Sequence, residues 1–186
     1  GSRAVAISRR SKNPRPIGRM LDERSFVNAI VGLHATGGST NHTLHLPAMA
    51  AAAGIELRWD DFADLSEVVP LLARIYPNGS ADVNHFQAAG GLGFVLRELL
   101  TAGLLDGSAA TVWGKSLVDY MVEPKLHANG VEFALAPENS LDMDTLRPLS
   151  QPHQPNGGLA ILSGNLGRAV IKISAVDPTN HRITAP

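Results

Sequence analysis

Phe26-Val-Asn-Ala-Ile-Val-Gly-Leu-His-Ala-Thr-Gly-Gly-Ser-Thr-Asn-His-Thr-Leu-His45 carries the most structural information of any stretch in the chain. Phe26, Ala29, Ile30 and Leu33 recur at helical spacing, so a helix starts near Asp22. Gly37-Gly38 ends it, since glycine takes the left-handed conformation that closes a helix. Ser39 or Thr40 then caps a second helix, through Leu44, Leu46, Met49 and the alanines to Gly54. A glycine pair followed by Ser-Thr-Asn at a helix start offers backbone N–H groups and hydroxyls at an electropositive end. That suits a carboxylate or a phosphate. Gly38, Ser39, Thr40 and Asn41 are therefore candidate anion-binding residues, with His42 and His45 beside them on one helix face. A glycine-terminated helix followed by an ordinary capped one explains the same residues with no ligand, because neither a P-loop nor a dinucleotide fingerprint is present. Two histidines alone do not make a zinc centre, and no HExxH accompanies them, so no metal ligand is assigned.

Outward from this stretch the pattern changes several times. Residues 1–24 hold seven basic against two acidic side chains and read as a basic extended connector, marked most clearly by the Arg, Lys, Asn and Pro of Ser8–Arg19. Ile55, Leu57 and Trp59 alternate with polar residues, as in a short strand or arm. Asp60, Asp61 and Asp64 are N-cap candidates for a helix over Leu65–Ile75, and Pro77-Asn78-Gly79 is a turn. Asn84–Leu105 reads as two helices about a kink at Gly90-Gly91, and Thr111–Val122 as a further amphipathic helix. His85, near the start of the first of these, could cap its helix, sit on the surface, or reach a pocket shared with the first glycine-rich turn. Pro124, Pro137, Pro148, Pro152 and Pro155 break every period in residues 123–158, which read as a linker or surface excursion. Leu159–Leu162, Ala169–Val176 and Arg182–Thr184 are short β-rich runs, with a hairpin turn at Ser163-Gly-Asn-Leu-Gly-Arg168.

Composition narrows the function classes. The 186 residues are 44% hydrophobic and 18% charged, enough apolar material for a core. Aromatics make up only 5%, so Ala, Val, Leu and Ile must fill that core. A net charge of −1 argues against a nucleic-acid partner. No apolar run approaches the roughly 18 residues of a membrane span. With no cysteine, the chain has no disulfide, thiolate nucleophile or cysteine-held cluster of its own, which fits a cytoplasmic protein. The opening residues lack a signal-peptide pattern and suggest a truncated chain.

Four blocks together resemble the dihydroxy-acid and sugar-acid dehydratase family, on its phosphogluconate branch. They are Gly32-Leu-His-Ala-Thr-Gly-Gly-Ser-Thr-Asn-His-Thr-Leu-His45, Tyr76-Pro-Asn-Gly79, Asp82-Val-Asn-His-Phe-Gln-Ala-Ala-Gly-Gly91 and Ser163-Gly-Asn-Leu-Gly-Arg-Ala-Val-Ile-Lys-Ile-Ser-Ala-Val176. His34, the His42–His45 run and Asn84-His85-Phe86-Gln87 favour that branch over relatives acting on branched-chain dihydroxy acids. The resemblance implies a helix-rich α/β fold. Residues 25–122 would belong to the family's N-terminal α/β/α region, and residues 159–186 would be the first strands of a C-terminal β-barrel domain. It implies a cytoplasmic, homodimeric hydro-lyase of the Entner–Doudoroff pathway that dehydrates 6-phosphogluconate, a phosphorylated sugar acid. An iron–sulfur cluster of the 4Fe-4S kind, with a divalent metal as a further candidate, would act as Lewis acid in the parent enzyme. The cluster cysteines and the proton acceptor of this family fall outside the present chain. No catalytic residue is therefore expected in it, and no cofactor bound to it. Gly38, Ser39, Thr40, Asn41, His42, His45 and His85 would line part of the substrate pocket. The competing expectations are a dehydratase of another sugar acid or dihydroxy acid, a non-catalytic small-anion-binding module, and a structural or dimer-forming segment.

Overall fold

A computed structural model describes residues 2–113, 116–180, 182 and 184. After a short helix α1 (Ser2–Ile7), the chain reaches α2 (Glu23–Thr36), the helix around which the rest is arranged. Asp22 caps α2: its carboxylate accepts the Ser25 amide at 3.1 Å. Gly37 ends it at φ 56°, and the Gly38 amide then donates to Leu33 O at 2.9 Å, the bond that closes a left-handed C-cap. Because α2 is apolar on two sides, it borders two cores. Phe26, Ile30 and Leu33 pack with Leu46, Ala50, Phe62 and Leu159, while Val31 and Ala35 pack with Leu72, Phe94, Val95, Leu99 and Leu146.

The second helix, α3 (His42–Ala52), starts later than either residue expected to cap it. Asn41 is its N-cap, with no side-chain capping bond. Its buried face is Thr43, Leu46 and Ala50. Residues 55–58 are extended, and α4 (Trp59–Val68) follows. It begins and ends earlier than the predicted Leu65–Ile75 helix. Asp61 accepts the Arg58 amide at 2.7 Å and fixes the start, and Pro70 forbids continuation. The expected pair of helices about a glycine kink is present as α5 (Val83–Ala89) and α6 (Gly91–Thr101), with Gly90 at φ 136°.

Several expectations are corrected. The N-terminal stretch read as an extended connector contains α1 and a 3-10 turn at Ile17–Arg19. The helix expected over Thr111–Val122 is absent from the described part of that stretch. A 3-10 turn, Leu117–Tyr120, leads straight into β1 (Val122–His127), and residues 114–115 lie outside the described residues. The Trp113 ring packs on Tyr120 and on Phe133 at 5.2 and 4.8 Å between centroids, tying this stretch to the strands that follow. The supposed linker 123–158 is not structureless either. It supplies β2 (Gly130–Leu135), antiparallel to β1, and a segment around 145–154 that adds to the edge of 71–75. Leu72 O accepts from Arg147, Leu71 O from His153, and the Arg74 amide reaches Thr145 O at 2.8 Å.

At the C-terminal end β3 (Ala160–Gly164) and β4 (Gly167–Ile171) form an antiparallel hairpin around the predicted turn. The third predicted run, Arg182–Thr184, falls partly on residues outside the described set. The hairpin packs on the helices. Leu159 is fully buried among the α2 and α4 side chains, and the Ser66 hydroxyl donates to Leu159 O at 2.6 Å. Among the described residues the fold is thus mixed, helices with two small antiparallel hairpins.

Candidate functional site

The turn between α2 and α3 is built by contacts from far along the chain. Asn78, only 8% exposed, donates through its side-chain amide to Gly37 O at 2.7 Å. Its carbonyl oxygen accepts the Ser174 hydroxyl at 2.7 Å. A β-carbon on Gly37 would lie 2.5 Å from Asn78 Nδ2, and one on Gly158 would lie 2.7 Å from Gly37 Cα. Three backbone segments therefore close on this turn with no room for a side chain. The sequence marks Asn78 as a turn residue, and its burial and its two bonds are legible only once the chain is folded.

Within the turn, several amides expected to face an anion are used locally. Gly38 donates to Leu33 O, Asn41 to the Ser39 hydroxyl at 3.2 Å, and His42 to Ser39 O at 3.1 Å. Thr43 places both its amide and its hydroxyl on Thr40 O. What the turn turns outward is side-chain chemistry. Ser39 and Thr40 are half-buried, whereas Asn41, His42 and His45 are exposed on the first turn of α3. His42 Nδ1 sits 3.1 Å from Ser39 O, so a proton on that nitrogen leaves Nε2 facing outward as an acceptor.

His85 stands elsewhere, at the start of α5. Its ring Nδ1 is 2.8 Å from the Asp82 carboxylate, and its amide donates to that carboxylate at 3.0 Å. These bonds, with the Asn84 amide, hold the Asp82 carboxyl down to about 2. Of the roles open to His85, the capping and the surface ones are both present. No hydrogen bond among the described residues joins it to the α2–α3 turn. His34 has the opposite setting: it is 1% exposed, with Nε2 2.9 Å from Phe62 O. Burial pushes its pKa down, so the neutral ring donates from Nε2. Its Nδ1 is buried with no hydrogen-bond partner, against Gly157.

Two cavities among the described residues contrast in chemistry. One is apolar, lined by Phe26, Val27, Ile55, Leu57 and Leu65, but Glu23, Glu56, Asp61 and Asp64 rim it and would repel an acidic ligand. The other is polar and basic, with Arg74, Arg147 and His153 among its walls. None of these three stood out in the sequence, because they lie in segments with no motif.

No three His, Asp or Glu side chains among the described residues converge in a way that could hold a metal ion, and the chain has no thiolate to offer. The donors present do not fit an iron–sulfur cluster held by this segment. No helix among the described residues is long and apolar enough to cross a membrane.

The family described as dihydroxy-acid/6-phosphogluconate dehydratase, N-terminal, matches residues 1–120, and its C-terminal counterpart matches residues 144–186. The chain belongs to the dihydroxy-acid/6-phosphogluconate dehydratase family. Within it, the phosphogluconate dehydratase of Rhizobium meliloti (strain 1021) is 57% identical over 185 residues, 99% of this chain and 30% of that protein. That of Escherichia coli (strain K12) is 57% identical over 171 residues, 92% of this chain and 28% of the relative. A dihydroxy-acid dehydratase of Natronomonas pharaonis is 37% identical over 183 residues, 97% of this chain and 30% of its own length. The chain thus spans less than a third of the curated relatives it matches.

Proposed function

We propose that this chain is a segment of a hydro-lyase that dehydrates 6-phosphogluconate to 2-keto-3-deoxy-6-phosphogluconate, the Entner–Doudoroff dehydration, and that it contributes part of the substrate pocket. One observation carries the choice of substrate. Identity to the phosphogluconate dehydratases reaches 57%, against 37% to the dihydroxy-acid dehydratase, over nearly the same residues. The reaction removes the proton beside the carboxylate and the hydroxyl of the next carbon, and the resulting enol becomes the keto acid. In this reading the segment's part is binding and orientation. Ser39, Thr40 and Asn41, with His42 and His45 on the same helix turn, hold the carboxylate end, and Gly38 keeps the turn close enough for them to reach it. His85 belongs to the pocket through the α5 start that Asp82 fixes. The complete enzyme is a cytoplasmic homodimer whose iron–sulfur ligands and proton acceptor lie outside this segment, and β3–β4 open its C-terminal barrel.

The test is substrate preference in the full-length enzyme that contains this chain. Keto-acid formation is followed from 6-phosphogluconate, from unphosphorylated gluconate and from a branched-chain 2,3-dihydroxy acid. A higher kcat/KM for 6-phosphogluconate than for the other two is expected. A preference for the dihydroxy acid would move the chain to the other branch of the family.

A further inference from the structure

The basic cavity is formed where residues 74–81 meet residues 144–153. It measures about 340 Å3 and is lined by Arg74, Gly79, Ser80, Thr145, Arg147 and His153, with Asp144 at its wall. Its position is fixed by backbone pairing, since Arg74 and Thr145 are joined amide to carbonyl and Ala73 bridges Leu146. Among the described residues neither guanidinium has a carboxylate within ion-pair distance, whereas Arg24, Arg58 and Arg168 each do. Two unneutralised guanidiniums at one cavity repel each other unless an anion lies between them. His153 adds a third basic side chain. The ring walls the same cavity, and its Nε2 is buried with no hydrogen-bond partner among the described residues.

We infer that this cavity is an oxyanion site for a phosphate group, with Arg74 and Arg147 supplying charge and the His153 ring at its wall. Ser80 and Thr145 line the same space, although the Thr145 hydroxyl is committed to Asp142 at 2.6 Å. Arginine suits the task because its planar fork matches phosphate oxygens two at a time. Burial first, and then the fields of Arg147 and Arg74, push His153 down to about 4; Asp144 and the Thr145 backbone act the other way. A bound dianion would reverse the arginines' effect and favour the imidazolium, which donates from both nitrogens. The cavity also neighbours the α2–α3 turn, since Gly79 lines it while the adjacent Asn78 holds Gly37. The phosphate therefore comes either from the substrate or from free phosphate. Assigning it to the substrate rests on the dehydratase reading above, whereas the site itself does not.

Titration calorimetry of inorganic phosphate into the 186-residue chain tests the site. Arg74→Gln is the informative variant, because among the described residues the Arg74 guanidinium makes no hydrogen bond or ion pair that the fold depends on. Phosphate binding should weaken roughly tenfold or more in Arg74→Gln and in Arg147→Lys, as loss of one charge-assisted contact implies. Phosphate should also raise the midpoint of the His153 ring titration seen by NMR. Equal phosphate binding in wild type and Arg74→Gln, or an unmoved His153 midpoint, would overturn the inference. In the full-length enzyme, competition between phosphate and 6-phosphogluconate, with KM rising in Arg74→Gln for that substrate but not for gluconate, assigns the phosphate to the substrate. Arg74-dependent phosphate binding without competition assigns it to free phosphate. Should phosphate bind in the Arg74-dependent way while 6-phosphogluconate is not dehydrated, the site stands and the dehydratase reading falls.

Discussion

His34 shows how one residue can sit in a recognisable motif and yet act through packing. Its ring is enclosed, its Nε2–H bonds Phe62 O, and a β-carbon on Gly157 would lie 2.6 Å from Nδ1. His34→Ala leaves a void and an unpaired buried carbonyl, so a loss of about 3 kcal/mol is expected in denaturant unfolding. Gly157→Ala should cost roughly 1–3 kcal/mol by overpacking the same contact. His34 and His153 also set a pH dependence. Both are held below the ordinary histidine value by burial, so the folded chain binds fewer protons than the unfolded one. The stability they confer is complete above about pH 6.5 and is lost as pH falls from there toward 4. Denaturant melts from pH 8 to pH 4 should show that decline, and a flat profile would contradict it. The sequence announces His34 as part of a motif. It cannot announce the burial, because Gly157 lies more than 120 residues away and only the fold brings them together.

Elements were legible where their signal is local. The spacing of Phe26, Ile30 and Leu33, with Gly37 beyond them, was enough for α2, and Gly90-Gly91 was enough for the α5–α6 break. The hairpin about Ser163–Arg168 followed from its turn residues. Segments 71–75 and 145–154 were misread because their order comes from pairing with each other, and Pro148 and Pro152 hide that from any periodic reading. The exposed β1–β2 hairpin was missed because Pro124 sits within it and the Trp113 ring that packs on its Phe133 lies outside it. The α4–β3 junction gives a contrast in magnitude. Ser66→Ala strands the buried Leu159 carbonyl and should cost roughly 1–3 kcal/mol. Asp60→Asn removes only the exposed pair with Arg168, worth about 1 kcal/mol at most. Melting temperatures of the two variants should separate accordingly, and equal losses would contradict the ranking.

At the scale of the whole molecule, apolar surface is left uncovered. Leu126, Val131, Phe133 and Leu135 on the first hairpin and Leu166 on the second are all more than half exposed. Such a patch ordinarily meets a partner, and the relatives are more than three times longer than this chain. The isolated chain should therefore associate as its concentration rises, and a clean monomer by light scattering would contradict that. The isolated chain, treated anaerobically with iron and sulfide, should give no cluster chromophore and no keto acid, for want of thiolates. The site reading was legible in part. Gly38–Asn41 and the two histidines were visible as a motif, whereas the arginine cavity comes from residues that neither spacing nor motif connects. The most direct measurement is steady-state kinetics of the full-length enzyme carrying Ser39→Ala with Asn41→Ala, run beside its melting temperature. Loss of two charge-assisted contacts should lower kcat/KM for 6-phosphogluconate by roughly 100-fold or more with little change in melting temperature. Wild-type kinetics in a folded double variant would contradict a substrate role for the α2–α3 turn.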